Sequence, residues 1–326
     1  MATITANSKK IERPSPPPRT AQAPTSRPAE SRPAKPDQVK LSQEGGATHQ
    51  KAVPNFQSWA GSQPRQLPPG SYSAGSITKE QLDGLKNSKD PKDKALAATI
   101  QRAQKNYAEL IKNGSEIIAN RNDGNGGHPV LTVLPPGFDP QKETRVHTHY
   151  HGFNSTVADP KGHAAQTTER IEALQKKTPQ TVVVLPETSN AQDGNYPTSW
   201  TNVKSQADTT NQALRDAGVT NPGYRVVSAH SAGGEALRRS IQNSPDGKGL
   251  QADRLELLDS LYGSQNAIAN WANTDNGRDL KSLTYVHGTN NTNNDIPLKS
   301  AFGNRYRRVN VKGHYEANHL MDTFAD

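Results

Sequence analysis

The chain has 326 residues, of which 31% are hydrophobic and 5% aromatic, and its net charge at neutral pH is +8. It contains no cysteine, which excludes disulfides, zinc–thiolate sites and cysteine nucleophiles. The length suits one large domain or two small ones, and the low hydrophobic content predicts that part of the chain does not pack into a core.

The first 70 residues differ in composition from the rest. They contain 12 of the 24 prolines and ten Lys and Arg against four acidic residues, so they hold six of the eight net positive charges. This composition predicts a disordered arm over residues 1–75. Its charge suits contact with an anionic surface or an export machinery. No aromatic residues alternate with the basic ones, which predicts no specific nucleic-acid binding.

The start of the chain has no apolar run that could form the core of a secretory signal, and no stretch is long enough to span a bilayer. The sequence therefore predicts neither classical secretion nor a transmembrane segment. A polar, Ser/Pro-rich start is also typical of proteins exported without such a signal, so cytoplasmic residence and non-classical secretion both stay open.

From about residue 76 the chain alternates between helix and strand signals. Asp90 and Pro91 predict the start of an amphipathic helix that ends near Gly114. Short apolar runs predict strands at 130–134, 145–150, 181–185, 224–228, 254–258, 283–286 and 306–311. Helical patterns lie at 162–176, 205–217, 234–243, 264–272 and 315–325. This order predicts one α/β domain over residues 76–326 with a mostly parallel, doubly wound sheet.

Three histidines alternate at the end of the predicted strand 145–150. His147, His149 and His151 would project to one face of a strand, and three imidazoles can bind zinc or copper. A metallohydrolase is therefore one hypothesis. The run lacks the aspartate of the familiar metallohydrolase pattern, and we predict no metal site.

The most informative stretch is the pentapeptide Ala-His-Ser-Ala-Gly at residues 229–233. It lies between the predicted strand 224–228 and a helical run that begins at Gly234. A sharp strand-to-helix turn lifts a serine hydroxyl clear of the sheet and aims it at substrate. Small residues two before and two after the serine fit such a strained turn. The pattern predicts that Ser231 is a nucleophile.

We call the turn at residues 229–233 the elbow. The chain resembles the α/β-hydrolase superfamily of esterases and lipases over roughly residues 129–326, because it has this elbow, the upstream pair His151-Gly152 and a late histidine, His314. The resemblance implies the α/β-hydrolase fold, a chain order of serine, acid and histidine, and no cofactor. The chain departs from the usual pattern at Ala229, where the family commonly has glycine.

Serine needs a base to remove its proton. The implied chain order places the base after the elbow, which leaves His287, His314 and His319. His314 follows the last predicted strand directly, where the family presents its histidine, so the resemblance implies that His314 is the base.

Two residues are candidates for the acid that orients the histidine. Asp259 ends the apolar run 254–258, and Asp295 follows the next predicted strand in the loop where the family's acid is more common. The spacing before Asp295 departs from the family pattern by about two residues, which puts Asn291 nearest the expected position. A carboxylate at the end of a buried strand requires a partner, so we favour Asp259 and keep Asp295 as the alternative.

The resemblance also implies an oxyanion hole made of backbone N–H groups. Ala232, the residue after the serine, would supply one donor. Gly152 or Phe153, in the early His-Gly loop, would supply the second.

The connecting segment 188–203 offers Tyr196 and Trp200 among amides and hydroxyls. This mixture suits a polar or glycan-linked ester, small or attached to a polymer, better than long acyl chains. We therefore predict a serine hydrolase that cleaves such carboxylic esters. An amidase or peptidase stays open, because a triad does not choose the leaving group. A non-catalytic, hydrolase-like binding module and an exported effector also stay open.

Overall fold

Nine strands form one sheet in the structure of the protein, a computed structural model that describes residues 65–152, 157, 164–188, 203–288 and 294–318. The strands are β1 (Ser71–Ser73), β2 (Glu116–Asn122), β3 (His128–Leu134), β4 (Thr144–Tyr150), β5 (Thr181–Pro186), β6 (Pro222–His230), β7 (Arg254–Leu258), β8 (Ser282–Gly288) and β9 (Tyr306–Val311). Their order across the sheet is β1-β2-β3-β5-β4-β6-β7-β8-β9.

The six neighbouring strands β5, β4, β6, β7, β8 and β9 run parallel to one another. The other three, β1, β2 and β3, join the sheet through antiparallel pairs. The predicted mostly parallel sheet is therefore confirmed. β1 lies within the segment 1–75 that the sequence predicts to be a disordered arm; residues 1–64 lie outside the described residues. The three residues of β1, Ser-Tyr-Ser, carry no apolar pattern, and they are placed by pairing with β2.

Helices fill the connections between strands. They are α1 (Lys79–Asn87), α2 (Pro91–Asn106), α3 (Ala108–Lys112), α4 (Ala164–Lys177), α5 (Gln206–Asp216), α6 (Gly234–Asn243), α7 (Gln265–Trp271), α8 (Asp275–Asp279), α9 (Ile296–Phe302) and α10 (His314–Asn318). Within the described ranges, none is long and apolar enough to cross a membrane.

The predicted helix from Asp90 to Gly114 is divided in two at Tyr107. Asp90 caps α2 by accepting a hydrogen bond from the Lys92 amide, and Pro91 opens the helix, as predicted. The backbone of Tyr107 leaves the helical region, and its buried hydroxyl donates to the carbonyl of Val157. This tertiary contact accompanies the break between α2 and α3.

The chain reverses its direction of travel across the sheet at β4. From β4 it passes to β5 on one side and then to β6 on the other side. In open α/β sheets a ligand crevice forms at such a reversal, outside the carboxyl ends of the strands. The residues after Tyr150 of β4 and His230 of β6 lie at this point.

The two faces of the parallel sheet differ in chemistry. On one face, Val227, Leu257 and Tyr285 pack with Trp271 of α7 and Phe302 of α9 in a hydrophobic core. The other face carries polar side chains in register across three strands, which are His149 of β4, Ser228 of β6 and Glu256 of β7. Glu256 is fully buried and accepts a 2.6 Å hydrogen bond from the Arg254 guanidinium, so its charge is paired.

Candidate active site

Ser231 lies in a sharp turn between β6 and α6. Its φ is +51°, a region that non-glycine residues rarely adopt, and it begins a short 3-10 turn that leads into the helix. Neighbouring backbone encloses this turn. A methyl group at Gly233 would lie 2.5 Å from the carbonyl oxygen of Tyr150. A methyl group at Gly234 would overlap the carbonyl oxygen of Ser260. The glycines therefore allow the elbow to fit between the ends of β4 and β7.

His314 and Asp259 form a close pair at the same edge of the sheet. Asp259 follows β7 with a φ of +50°, and His314 begins α10 shortly after β9. The imidazole Nδ1 lies 2.6 Å from Asp259 Oδ2, and the carboxylate side chain is only 3% exposed. A short N–H···O bond to a buried carboxylate fixes the ring orientation and leaves Nε2 for another partner.

Shared neighbours connect this pair to Ser231. The imidazole of His230, the residue before the serine, has its centroid 4.8 Å from that of His314, and its Nε2 lies 3.2 Å from the His314 carbonyl oxygen. Tyr262 contacts the His314 ring edge-on at a centroid distance of 6.4 Å, and its hydroxyl lies near Ser231. The structure thus brings Ser231, His314 and Asp259 to one corner of the sheet.

Asp295, the alternative acid, is engaged elsewhere. Its carboxylate accepts hydrogen bonds from the Tyr306 hydroxyl and, at 3.1 Å, from Arg308 Nη1, both on β9. Burial opposes ionisation, but these two partners hold the pKa of Asp295 below its ordinary value. Asp295 is therefore an ionised residue that ties the start of α9 to β9.

Gly288 at the end of β8 explains how the carboxylate of Asp259 reaches the histidine. A methyl group on Gly288 would lie 2.6 Å from Asp259 Oδ2 and 3.4 Å from the His314 Cα. Only a residue without a side chain leaves this space open. Sequence reasoning did not single out Gly288, and the only signal in the sequence is a glycine that ends an apolar strand.

We expect Gly288→Ala to lower kcat for ester hydrolysis by about 10²-fold. The added methyl would push the Asp259 carboxylate out of its position beside Nδ1 of His314. Gly84→Ala is the matched control. A methyl there meets no atom within 4 Å and lies on α1, away from this edge of the sheet. Steady-state kinetics with a chromogenic ester would measure both variants. Equal kcat values would contradict this role for Gly288.

The predicted oxyanion loop is described up to Gly152. A methyl at Gly152 would lie 3.0 Å from both Ser231 Cβ and His230 Nδ1, so its backbone passes directly beside the elbow. Ala232, the other predicted donor, is in the turn itself. Phe153 lies outside the described residues.

His151 holds the start of this loop. Its Nδ1 lies 2.9 Å from the Gly152 carbonyl oxygen, and its Nε2 lies 3.2 Å from the Thr188 amide nitrogen and 3.0 Å from Glu187 Oε1. Glu187 and Thr188 follow β5, so the buried imidazole ties the ends of β4 and β5 together. This contact positions the segment beside Ser231.

The other two alternating histidines share one hydroxyl. His147 Nε2 and His149 Nδ1 lie 2.7 and 2.8 Å from Ser228 Oγ. Because a serine hydroxyl has a single hydrogen, one imidazole accepts from it and the other donates to it. No group of three or more His, Asp and Glu side chains with the arrangement of a metal site is present in the part of the chain that the structure describes.

Burial lowers the pKa of His149 well below its ordinary value, and the neighbouring His147, His230, Arg170 and His151 lower it further. The folded protein therefore keeps this imidazole neutral where the unfolded chain protonates it. The free energy of unfolding is therefore undiminished above the unfolded pKa of about 6.5. It decreases as the pH falls below this value, because the unfolded chain then binds a proton that the folded protein does not.

We expect the wild-type free energy of unfolding to fall more steeply between pH 6.5 and 5.5 than that of His149→Gln, by up to about 1 kcal/mol. Glutamine offers a donor and an acceptor to Ser228 but does not titrate. Urea unfolding at the two pH values would measure the difference. Parallel losses in the two proteins would mean that His149 does not contribute to acid sensitivity.

Three further residues singled out from the sequence lie outside the described residues. They are Tyr196 and Trp200, predicted to bind substrate, and His319, one of the histidines considered as base. His287, the remaining one, stacks on Tyr285 at a centroid distance of 5.6 Å.

The strand order and the elbow after β6 give the chain the fold of the α/β-hydrolases, as the resemblance in sequence implies. No protein-family model matches the chain, and no curated protein matches it.

Solved structures of three esterases are among those similar to the chain. The feruloyl esterase module from Clostridium thermocellum is 18% identical over 64% of this chain and 87% of that chain, with a TM-score of 0.42. Esterase 2 from Thermogutta terrifontis is 16% identical over 65% and 93%, with a TM-score of 0.40. An esterase from Rhizomucor miehei is 12% identical over 76% and 94%, with a TM-score of 0.41.

Proposed function

We propose that the protein is a serine hydrolase that cleaves carboxylic esters by two-step acyl transfer. The observation that carries this proposal is the 2.6 Å pair of His314 and Asp259 in the same corner as Ser231, whose backbone is held at a positive φ. A serine, a base and a buried acid that orients the base are the parts that a serine nucleophile needs.

In the acylation step, Asp259 accepts the Nδ1 proton of His314 in a hydrogen bond, so Nε2 is the atom that removes the proton from the Ser231 hydroxyl. Oγ then forms a bond to the ester carbonyl carbon, and the carbonyl electron pair moves onto the oxygen. Backbone N–H groups of Ala232 and of Gly152 or Phe153 stabilise this oxyanion. The intermediate collapses, the bond to the alcohol oxygen breaks, and His314 gives its proton to that oxygen.

In the deacylation step, His314 removes a proton from water, and the resulting hydroxide attacks the acyl carbon. Collapse of the second intermediate releases the carboxylic acid and returns the proton to Ser231 Oγ. The cycle uses no cofactor.

We propose that the substrate is a polar or glycan-linked ester, which is either a small molecule or attached to a polymer. The support is the composition of the segment 188–203 with Tyr196 and Trp200. Parallel assays on an ester and on the amide of the same acid would separate an esterase from an amidase or peptidase.

Labelling with a fluorescent fluorophosphonate tests the serine mechanism. We expect the full-length wild-type chain to be labelled, Ser231→Ala to remain unlabelled and His314→Ala to be labelled much more slowly, with no effect of a metal chelator. A folded wild-type chain that is never labelled would contradict the proposal and favour a non-catalytic binding module.

A further inference from the structure

Large exposed hydrophobic side chains are concentrated at one edge of the sheet. In the described part of the chain there are three, Tyr262, Ile296 and Tyr315, with exposures of 54%, 68% and 64%. They follow the consecutive strands β7, β8 and β9, and two of them, Tyr262 and Tyr315, contact His314. Single exposed apolar residues are ordinary, but such a concentration beside a reactive site points to a ligand.

Both tyrosines contact the imidazole of His314. The ring of Tyr262 meets it edge-on at a centroid distance of 6.4 Å, and the ring of Tyr315 meets it at 5.4 Å with an interplanar angle of 69°. The hydroxyl of Tyr262 also lies near Ser231. The exposed parts of the two rings therefore border the space in front of the serine and the histidine.

The backbone of Tyr262 is strained. Its φ is +28°, in a region that favours glycine, although the next residue, Gly263, adopts a φ of +87° at no cost. Strained residues of this kind persist only where the surrounding structure holds them, and they concentrate at ligand-binding and catalytic sites. A tyrosine held in this conformation indicates that its side chain has a task at this position.

The chemistry of the proposed reaction indicates which half of the ester meets these rings. His314 must give its proton to the oxygen of the departing alcohol, so the alcohol has to lie against the imidazole. The alcohol then also lies against Tyr262 and Tyr315. Tyrosine faces pack against flat rings and sugar rings, and the hydroxyl can hydrogen-bond to polar groups on them.

We propose that Tyr262 and Tyr315 form a leaving-group subsite that selects esters of ring-bearing alcohols. This inference rests on the proposed serine hydrolase activity and extends it to the alcohol half of the substrate. The shared chemistry is a ring in the departing alcohol, and an aromatic or a sugar alcohol provides it.

Three acetates of primary alcohols test the subsite: n-butyl acetate, benzyl acetate and 6-O-acetylglucose. All three give the same acetyl-enzyme, so differences in kcat/KM report on the alcohol alone. We expect the wild-type chain to prefer at least one of the ring-bearing esters over the butyl ester by about tenfold or more. A preference for the benzyl ester indicates an aromatic alcohol, and a preference for the glucose ester indicates a sugar.

We expect Tyr262→Ala and Tyr315→Ala to lose most of this preference, whereas Tyr72→Phe on the distant strand β1 keeps it. The ratio of kcat/KM between the ring-bearing esters and the butyl ester is the readout, because a general loss of catalysis lowers all three values alike. The steady-state phase that follows the burst with p-nitrophenyl acetate gives the deacetylation rate, which is common to the three acetates. Tyr262→Gly removes the backbone strain, so we expect a Tm at least as high as that of the wild type together with a lost preference. A lost preference in this variant would not arise from unfolding.

An unchanged preference in both alanine variants would overturn the subsite, as would a wild-type chain that is labelled by fluorophosphonate but hydrolyses the three acetates equally. A folded wild-type chain that is not labelled would overturn the proposed function, and the subsite with it.

Discussion

Ser231→Ala is expected to lower kcat for ester hydrolysis by about 10⁶-fold, because the oxyanion donors and substrate binding are all that remain without the nucleophile. Ser231→Gly should be equally inactive. The two variants should differ in stability, since glycine adopts the φ of +51° freely and alanine does not. We expect Ser231→Gly to exceed Ser231→Ala by about 1 kcal/mol in the free energy of unfolding.

Chemical denaturation and initial-rate assays on the same preparations would measure both quantities. If Ser231→Ala kept more than about a hundredth of wild-type kcat, another residue would be the nucleophile. If the two variants were equally stable, the turn would not carry the strain that its backbone angle implies.

Asp259→Asn is expected to lower kcat by about 10⁴-fold. Asparagine fills the same space, but its amide can donate to Nδ1 of His314 and so favour the wrong tautomer. Asp295→Asn is the matched control, because the same change is made in a carboxylate that binds Tyr306 and Arg308 instead. We expect its kcat to stay within a few-fold of the wild type. A larger loss in Asp295→Asn than in Asp259→Asn would make Asp295 the acid.

The sharp turn at Ser231 and the position of His314 after β9 could be predicted because their signals are local. The apolar run before Ser231 and the small residues around it mark a strand followed by a tight turn, and His314 directly follows a strand. The buried parallel strands were equally predictable from continuous apolar runs. These features need no knowledge of what lies across the sheet.

The acid could not be decided from the sequence, because the choice depends on packing between strands. Asp259 and Asp295 both follow predicted strands, and the family's more common position favours Asp295. Asp259 Oδ2 lies 2.6 Å from His314 Nδ1 because Gly288 on the next strand has no side chain, and the sequence alone does not reveal this packing. The positive φ of Tyr262 is hidden for the same reason, since the sequence around it gives no turn signal except Gly263.

The edge of the sheet formed by β1 and β2 was also missed. β1 is three residues long without apolar alternation, and the buried centre of β2 lies between a glutamate and an asparagine-rich end. Short strands of this kind are stabilised by pairing with a neighbour, and their own side chains carry little of the signal.

The most direct test of the central assignment is to locate the acyl group by peptide mass spectrometry after an acid quench of the reaction with p-nitrophenyl acetate. We predict one acetyl group on the peptide that contains Ser231, with none on that peptide in Ser231→Ala and slower formation in Asp259→Asn. An acetyl group on a different residue, or steady ester hydrolysis without any acylated peptide, would contradict the assignment of Ser231 as the nucleophile.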